Sequence, residues 1–462
     1  MKRSGMIMYA VLVITALMMV ITASLLFWVR AEQNASTVDS GREQAYQAAM
    51  SGLREMITAV QTTGSASELR DEPDLFRDRL VMDDGVNRWY FTIYAYNPTD
   101  PDHVRYGLVD EASKINVNVA DPDLLTAAIQ AADPAGNYDA RSLTANLMDW
   151  RDKDDELYSA TAGAEQAYYD RLGYVCKNGM LRTIDELLLI RGFDAQLVYG
   201  EDVNLNGLLD ENERDQRESF PFHDDGDDEL NRGLRSLLTA VSYEPNTDSR
   251  GNRRVAMDSD PAALAQAGLS EQTVEFIKAY RQDRNEFSHP VELLNMTYEP
   301  KQRGRGPNRR GQPRRIESGI TPANVDLVLD RLTVNRGRLL MGLVNVNTAE
   351  AKTLECLPGI SDNLAGDIVA HRATLTPERK RSVAWLLQEN LLDVETFKKV
   401  APSLTTRSYQ YRAMIVGFGR PAGGFRIFEA VVNVAGEVGL IYLRDLTHVG
   451  LPFALDQDLQ EY

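Results

Sequence analysis

The chain has 462 residues, with 50 Lys and Arg against 68 Asp and Glu, a formal net charge of −18, 43% hydrophobic and 26% charged residues. That length allows about three domains. The charge balance excludes nonspecific nucleic-acid binding by the chain as a whole, and the composition excludes a multi-span membrane protein and a disordered one. Two cysteines, Cys176 and Cys356, exclude a disulfide-rich scaffold, while a single bridge and two buried thiols both stay open.

Met6 to Val29 is a 24-residue run whose only ionisable side chain is Tyr9, set between Lys2-Arg3 and Arg30. It is long enough to cross a hydrocarbon core of about 30 Å as one helix. The basic N-terminal flank keeps that end cytoplasmic and sends the rest across the membrane. A cleaved secretory signal has a shorter apolar core and a small-x-small site, whereas this run ends in Phe27-Trp28-Val29. A short basic leader closing on Gly5, directly before the apolar helix, resembles a type IV prepilin signal. The resemblance implies cleavage by a prepilin peptidase between Gly5 and Met6, with the helix left attached; a plain signal anchor is the competing reading. Most pilins carry Phe first and Glu fifth in the mature chain, and here those places hold Met6 and Ala10.

From Ala31 to about Thr62 apolar positions recur at 3–4 spacing (Ala45, Ala48, Met50, Leu53, Met56, Ile57, Val60), which predicts an amphipathic continuation of the membrane helix. Trp89–Tyr96 reads as a strand and Val104–Val109 as a second short one. Strand character then disappears from about Ser113 to Pro402 and returns in Tyr409–Gly417, Phe425–Val434 and Gly439–Leu443. The simplest α+β architecture is a long N-terminal helix with an antiparallel sheet drawn from both ends of the chain and split by a large α-helical insertion. The expected division is 1–5 leader, 6–29 membrane helix, 30–110 stalk and first strands, 111–402 helical insertion, and 403–462 closing strands.

One phrase occurs twice, Lys114-Ile115-Asn116-Val117-Asn118-Val119-Ala120 and Leu343-Val344-Asn345-Val346-Asn347-Thr348-Ala349, each placing an Asx or Thr where it can cap a following helix. The second leads into Leu357-Pro358-Gly359-Ile360, so that 343–372 resembles a helix-hairpin-helix, whose amides in many proteins hold a DNA phosphate. Here Ser361, Asp362, Asn363 and Asp367 face that position, with no cation before Arg372. Two carboxylates beside a polyanion oppose binding, so a packing hairpin is favoured and no nucleic-acid partner is expected. A membrane-anchored DNA-uptake receptor is the alternative function.

Together several segments resemble type II secretion system protein K: Asp110-Glu111-Ala112-Ser113-Lys114-Ile115-Asn116, Met148-Asp149-Trp150-Arg151-Asp152-Lys153-Asp154 followed by Gly163-Ala164-Glu165-Gln166-Ala167-Tyr168-Tyr169, Asp185-Glu186-Leu187, Val344–Ala349 with Leu357–Ile360, and Leu404–Ser408. Within the pilin families, absence of the fifth-position glutamate is typical of this K-type minor pseudopilin. The resemblance implies a pilin-like fold with its sheet split by a helical domain, anchored in the inner membrane with its bulk in the periplasm. It implies a place at the tip of the pseudopilus beside the I-type and J-type minor pseudopilins, starting or capping the fibre for protein export. Calcium in the helical domain is also implied, without fixing the ligands. The chain is longer than is usual for that family.

Two stretches stand out in charge. Glu201–Glu229 holds twelve carboxylates against Arg214 and Arg217, and Lys301–Ile316 holds seven cations, no acid, and Gly and Pro throughout, as a solvated loop does. Within the first, Asp202–Glu213 fits the twelve-residue EF-hand loop. Asp202, Asn204 and Asn206 supply side-chain oxygens at places 1, 3 and 5, with Gly207 at 6, the Leu208 carbonyl at 7, Asp210 at 9 and Glu213 at 12. A structural calcium ion wants six to eight such oxygens. Leu187–Tyr199 can be helical and the exit is short, so an isolated loop is expected rather than a paired EF-hand. His223–Glu229 reads either as a second site or as a solvated loop. The five histidines are scattered, and no metalloprotease, phosphate-loop or nucleophile-elbow motif is present, so the chain is not expected to be an enzyme.

Overall fold

In a computed structural model, residues 4–63, 67–216, 218–224, 226–301, 315–421 and 423–451 are described. Helix α1, Ser4–Thr62, is continuous for 59 residues, about 90 Å at 1.5 Å per residue. Gly5 and Met6 lie in its first turns. From Ile7 to Val29 its large apolar side chains are exposed, and in the second half Ala45, Ala48, Ala49, Leu53, Met56, Ala59 and Val60 are buried. This is the one helix long and apolar enough to cross a membrane among the described residues. Its upper half meets the expected amphipathic stalk, because the sheet supplies the apolar cover that the stripe requires.

That sheet contains β1 (Arg79–Asp83), β2 (Arg88–Tyr94), β3 (Val109–Asp110), β4 (Gln410–Arg420), β5 (Phe425–Asn433) and β6 (Gly439–Asp445). The antiparallel order is β1-β2-β4-β5-β6, with β3 also pairing β4. Central β4 pairs β2 through Met414–Tyr94 to Arg420–Arg88, and β5 through Gln410–Asn433 to Phe418–Phe425, so the two ends of the chain meet in one ladder. Leu53, Met56, Phe91, Ile93, Ile415, Phe428 and Ala430 form the core between α1 and this sheet. The strand expected at 104–109 shrinks to Val109–Asp110 plus one bridge between Ala95 and Arg105. Strand β1 was not anticipated: all five of its residues are exposed at the sheet edge, so burial imposes no alternation on them.

Between β3 and β4 lies the helical insertion, with a continuous apolar core from Ile115 to Leu404. It is not free of strands. Two-residue parallel ladders close three successive units: Ile115–Asn116 with Leu238–Thr239, Val255–Ala256 with Leu332–Thr333, and Val344–Asn345 with Leu404–Thr405. The same next bond follows each ladder, Val117 N to Thr239 O at 2.9 Å, Met257 N to Thr333 O at 2.8 Å and Val346 N to Thr405 O at 3.0 Å. A helix pair follows in every case: α2 (Pro122–Ala132) and α3 (Ala140–Arg151), α4 (Pro261–Gln266) and α5 (Glu271–Gln282), α6 (Ala351–Glu355) and α7 (Asp362–Arg372). An arginine at the end of the second helix reaches back to the unit's opening turn. Arg151 donates to Val117 O and Ala120 O at 2.6 and 2.7 Å, Arg281 to Ser259 O and Asp258 O at 2.9 and 2.5 Å, and Arg372 to Val346 O and Ala349 O at 2.9 and 2.6 Å.

The twofold phrase in the sequence is therefore a threefold repeat in the structure. The middle copy is concealed because Val255-Ala256-Met257-Asp258 lacks both asparagines. Those asparagines also do other work than expected. The N-cap of α2 is Asp121, which accepts from Leu124 N at 2.8 Å, and that of α6 is Glu350, whose side chain makes no cap bond. Asn116 and Asn345 instead accept from the amides two residues on, while Asn118 and Asn347 donate to Leu181 O and Lys380 O at 2.9 and 2.8 Å, pinning distant turns.

Candidate metal centres

The loop 202–213 starts where Gly200, at φ +65°, ends the helix Ala195–Tyr199. A Cβ on Gly200 would fall 2.1 Å from Asn231 O, so only glycine fits this exit. The approach is less helical than Leu187–Tyr199 allowed: a 3₁₀ turn at Ile184–Leu189 and that one short helix are separated by Gly192 at φ +85°.

Inside the loop the six predicted positions fold onto one another. Gly207 N lies 3.4 Å from Asp202 Oδ1, Asn206 N donates to Asn204 Oδ1 at 2.9 Å, and Leu208 N to Asn206 Oδ1 at 2.7 Å. The amides of Asn204 and Asn206 converge on Asp210 Oδ2 at 2.7 and 2.8 Å, and Asp210 N donates to Glu213 Oε2 at 3.0 Å. Gly207, at φ +72°, makes the sharp turn at place 6. The loop leaves through a single 3₁₀ turn, Glu211–Glu213.

Electrostatically this arrangement wants a cation. Asp202 and Glu213 are buried, and among the described residues Glu213 Oε1 has no hydrogen-bond donor. Burial, reinforced by Asp202, Asp210 and Glu201, pushes the Glu213 carboxyl up to about 8, and burial also raises Asp202, against the pull of Arg232. A buried carboxylate oxygen without a donor is costly, and a divalent cation is the kind of partner that removes the cost. The donor types suit calcium, although the oxygens of Asp202, Asp210 and Glu213 do not all lie within 4.8 Å of one another, because Asn204 and Asn206 hold Asp210 by their amides. In the neighbouring segment His223 Nε2 contacts Gly200 O at 2.7 Å, and Asp224 accepts from Gln216 N and Gly226 N at 2.8 and 2.7 Å. Both organise turns there, and Asp225 lies outside the described residues, as do 302–314 of the basic loop.

A second centre was not read from the sequence. Asp149, Asp152 and Glu165 bring carboxylate oxygens within 4.8 Å of one another, the single such trio of His, Cys, Asp or Glu among the described residues. Asp149 stands in the last turn of α3 and Asp152 at its C-cap; Glu165 precedes the short helix Gln166–Tyr169. Asp149 is fixed by Tyr158 N and Ala164 N, each at 2.6 Å. Among the described residues, both oxygens of Glu165, which is 5% exposed, and Oδ1 of Asp152 lack a donor. Burial first, then Asp149 and Asp152, push Glu165 up to about 7.

The repeat supplies an internal control. Counted from the clasping arginine, the places of Asp149 and Asp152 are held by Ala279 and Gln282 in the middle unit and by Ala370 and Ala373 in the last. The unit folds without these carboxylates. The signal the sequence carries for the trio is the spacing of Asp149 and Asp152 ahead of Glu165, inside the segment that resembles protein K.

The hairpin at Leu357–Ile360 turns on Gly359 at φ +86°. The first cation after it in the chain, Arg372, is 6% exposed and both its bonds go to backbone carbonyls of its own unit, while Asp362 opens α7. The Arg372 guanidinium is thus committed within its own unit, and the carboxylate of Asp362 stands at the start of the second helix, which opposes an anion there. Both cysteines are buried free thiols.

Residues 113–199 match the family model described as Type II secretion system (T2SS), protein K, and 341–405 match the helix-hairpin-helix motif model. Over residues 113–199, the chain is thus similar to the protein K family of type II secretion. A relative, Type II secretion system protein K of Aeromonas hydrophila, is 43% identical over 63 residues, 13% of this chain and 19% of that protein. The matched stretch thus spans about a fifth of that relative. The solved GspK-GspI-GspJ complex from the enterotoxigenic Escherichia coli Type 2 Secretion System aligns over 90% of this chain and 98% of that one, at 11% identity and a TM-score of 0.40, a distant likeness. The protein K match contains the trio Asp149, Asp152 and Glu165, while the loop 202–213 and the middle unit fall between the two matched segments.

Proposed function

We propose that this chain is a membrane-anchored minor pseudopilin of K type that stands at the tip of a type II secretion pseudopilus and starts or caps the fibre. The observation that carries the reading is the placement of the protein K segment, 113–199, inside an insertion that splits a helix-plus-sheet fold behind one membrane-length helix. Physically, such an insertion is too bulky to have another subunit stacked over it. Prepilin peptidase cuts between Gly5 and Met6, α1 stays in the inner membrane, and the bulk of the chain lies in the periplasm. The partners are the I-type and J-type minor pseudopilins, and the role is structural rather than enzymatic.

Co-expression with I-type and J-type pseudopilins followed by affinity purification tests the assembly. A stable complex containing all three is the expected outcome, and a K chain that purifies alone from that mixture contradicts it. N-terminal sequencing of the membrane-extracted protein is expected to begin at Met6.

Calcium is the proposed structural ion, held by Asp202, Asn204, Asn206, the Leu208 carbonyl, Asp210 and Glu213, with Asp149, Asp152 and Glu165 as a second centre. The undonated oxygens of Glu213 and Glu165 support it. Calorimetric titration with calcium is expected to lose one site in Glu213→Gln and another in Glu165→Gln; unchanged stoichiometry in both variants excludes the assignment.

A further inference from the structure

Beyond Tyr94 the chain extends β2 into a hairpin, closed by the Ala95–Arg105 bridge, that turns back through residues 97–103. This hairpin belongs to the pilin-like half, and the loop 202–213 belongs to the insertion. The two meet along the loop itself. Leu209 N donates to Pro101 O at 2.9 Å, Arg214 pairs with Asp102, and a Cβ on Gly207 would lie only 3.5 Å from that of Tyr96. Arg232 completes the seam, with its guanidinium 4.4 Å above the Tyr96 ring and its Nε 3.6 Å from Asp202.

The gripping residues and the ligand positions interleave. Gly207 and Leu209 occupy places 6 and 8, between the ligands at 5, 7 and 9, and Arg214 directly follows Glu213 at place 12. Whatever orders the ligands therefore orders the grip. Asp202, Asp210 and Glu213 repel one another within twelve residues, and among the described residues Glu213, 1% exposed, has one oxygen without a donor while its other oxygen accepts from the Asp210 amide. A dication relieves this repulsion and fixes the stretch that carries Leu209 and Arg214.

We propose that a calcium ion in the loop 202–213 is a latch that fixes the hairpin 95–105 of the pilin-like half against the helical insertion. The latch rests on the calcium assignment made above and adds to it a site of action: the ion sets how firmly the bulky part is held on the shaft-forming part.

Hydrogen–deuterium exchange on the detergent-solubilised full chain, in calcium and in EGTA, tests it. Peptides covering 95–105 are expected to exchange on the order of 10-fold more slowly with calcium, as local opening is suppressed. Asp102→Ala, at an exposed residue, is expected to keep the calcium stoichiometry of the parent and lose that protection. Glu213→Gln is expected to lose one calcium and the protection together, while Glu165→Gln loses its own calcium and keeps the hairpin protected. If Glu213→Gln removes one calcium and exchange at 95–105 never responded to the ion, the latch is overturned and the calcium site stands. If Glu213→Gln takes up as much calcium as the parent, the site assignment fails and the latch with it.

Discussion

Arg412 Nε lies 2.7 Å from Glu111 Oε1, joining a strand of the antiparallel sheet to the first residues of the helical insertion. The same guanidinium sits 2.7 Å from Glu429 Oε1 on β5, and Arg235 of the insertion pairs with Glu429 as well. With Lys114 Nζ 3.8 Å from Glu111 Oε1, five side chains join across the junction, and the two carboxylates are at most 2% exposed on their side chains. Breaking such a network strands a buried charge, which costs about 3–5 kcal/mol. Arg412→Met is accordingly expected to lower the urea midpoint sharply at pH 7, and an unchanged midpoint would show that the junction is held elsewhere.

The pH dependence follows from the same residues. Burial works to raise the Glu111 carboxyl, but the charges of Arg412 and Lys114 overcome it and hold it at about 2, and Glu429 is held well below the ordinary range by Arg235 and Arg412 despite its burial. A carboxyl whose pKa is depressed on folding contributes stability above its unfolded value, near 4.5, and loses it as pH falls toward the folded value. The unfolding temperature is therefore expected to drop between about pH 4.5 and 2, and this part of the drop should shrink in Arg412→Met, where Lys114 and Arg235 still face the two carboxylates.

Calcium should stabilise the folded chain by mass action. With free calcium at 100 times the dissociation constant, each site contributes about 2.7 kcal/mol, provided the unfolded chain does not bind. Differential scanning calorimetry in calcium and in EGTA is expected to show a rise in melting temperature, roughly halved in Glu165→Gln and in Glu213→Gln singly. Equal melting temperatures in calcium and EGTA for the parent would remove both sites.

How far these features were legible depends on whether the signal was local. The helix α1, its buried stripe from Ala45 to Val60 and the central strands β2, β4 and β5 follow from periodicity that a single core enforces, and they were readable. Edge strand β1 was not, because exposure removes the pattern. The EF-type spacing at 202–213 is written in twelve consecutive residues, whereas the trio of Asp149, Asp152 and Glu165 needs a 13-residue return that only the fold closes. The middle repeat was hidden for a related reason: what defines the unit is a Leu-Thr ladder and a clasping arginine, Arg281, not the asparagines that made the other two copies conspicuous.

That clasp can be tested in parallel across the units. Arg151, Arg281 and Arg372 each make two bonds to carbonyls of their own opening turn, and a hydrogen bond to a charged group contributes about 1.5–3 kcal/mol. Replacing each with Met in turn should destabilise by similar amounts, read as three comparable shifts in denaturant midpoint. If Arg281→Met were silent while the other two were not, the middle segment would be a look-alike rather than a third copy.

The close approach of α1 to the sheet makes the last contrast. A Cβ on Gly417 of β4 would lie 2.1 Å from Ala45 O and 2.4 Å from Ala49 N, so even a methyl group pushes the helix off the strand. On Gly366, within α7, a Cβ meets nothing within 4 Å. Gly417→Ala is therefore expected to cost about 1–3 kcal/mol or more through overpacking, while Gly366→Ala should gain about 0.5–1 kcal/mol by reducing backbone freedom in a helix. Opposite shifts in the urea midpoint are the expected result. Two shifts of the same sign would mean that α1 rides on the sheet with slack between them, and that the helix is not held by the contact at Gly417.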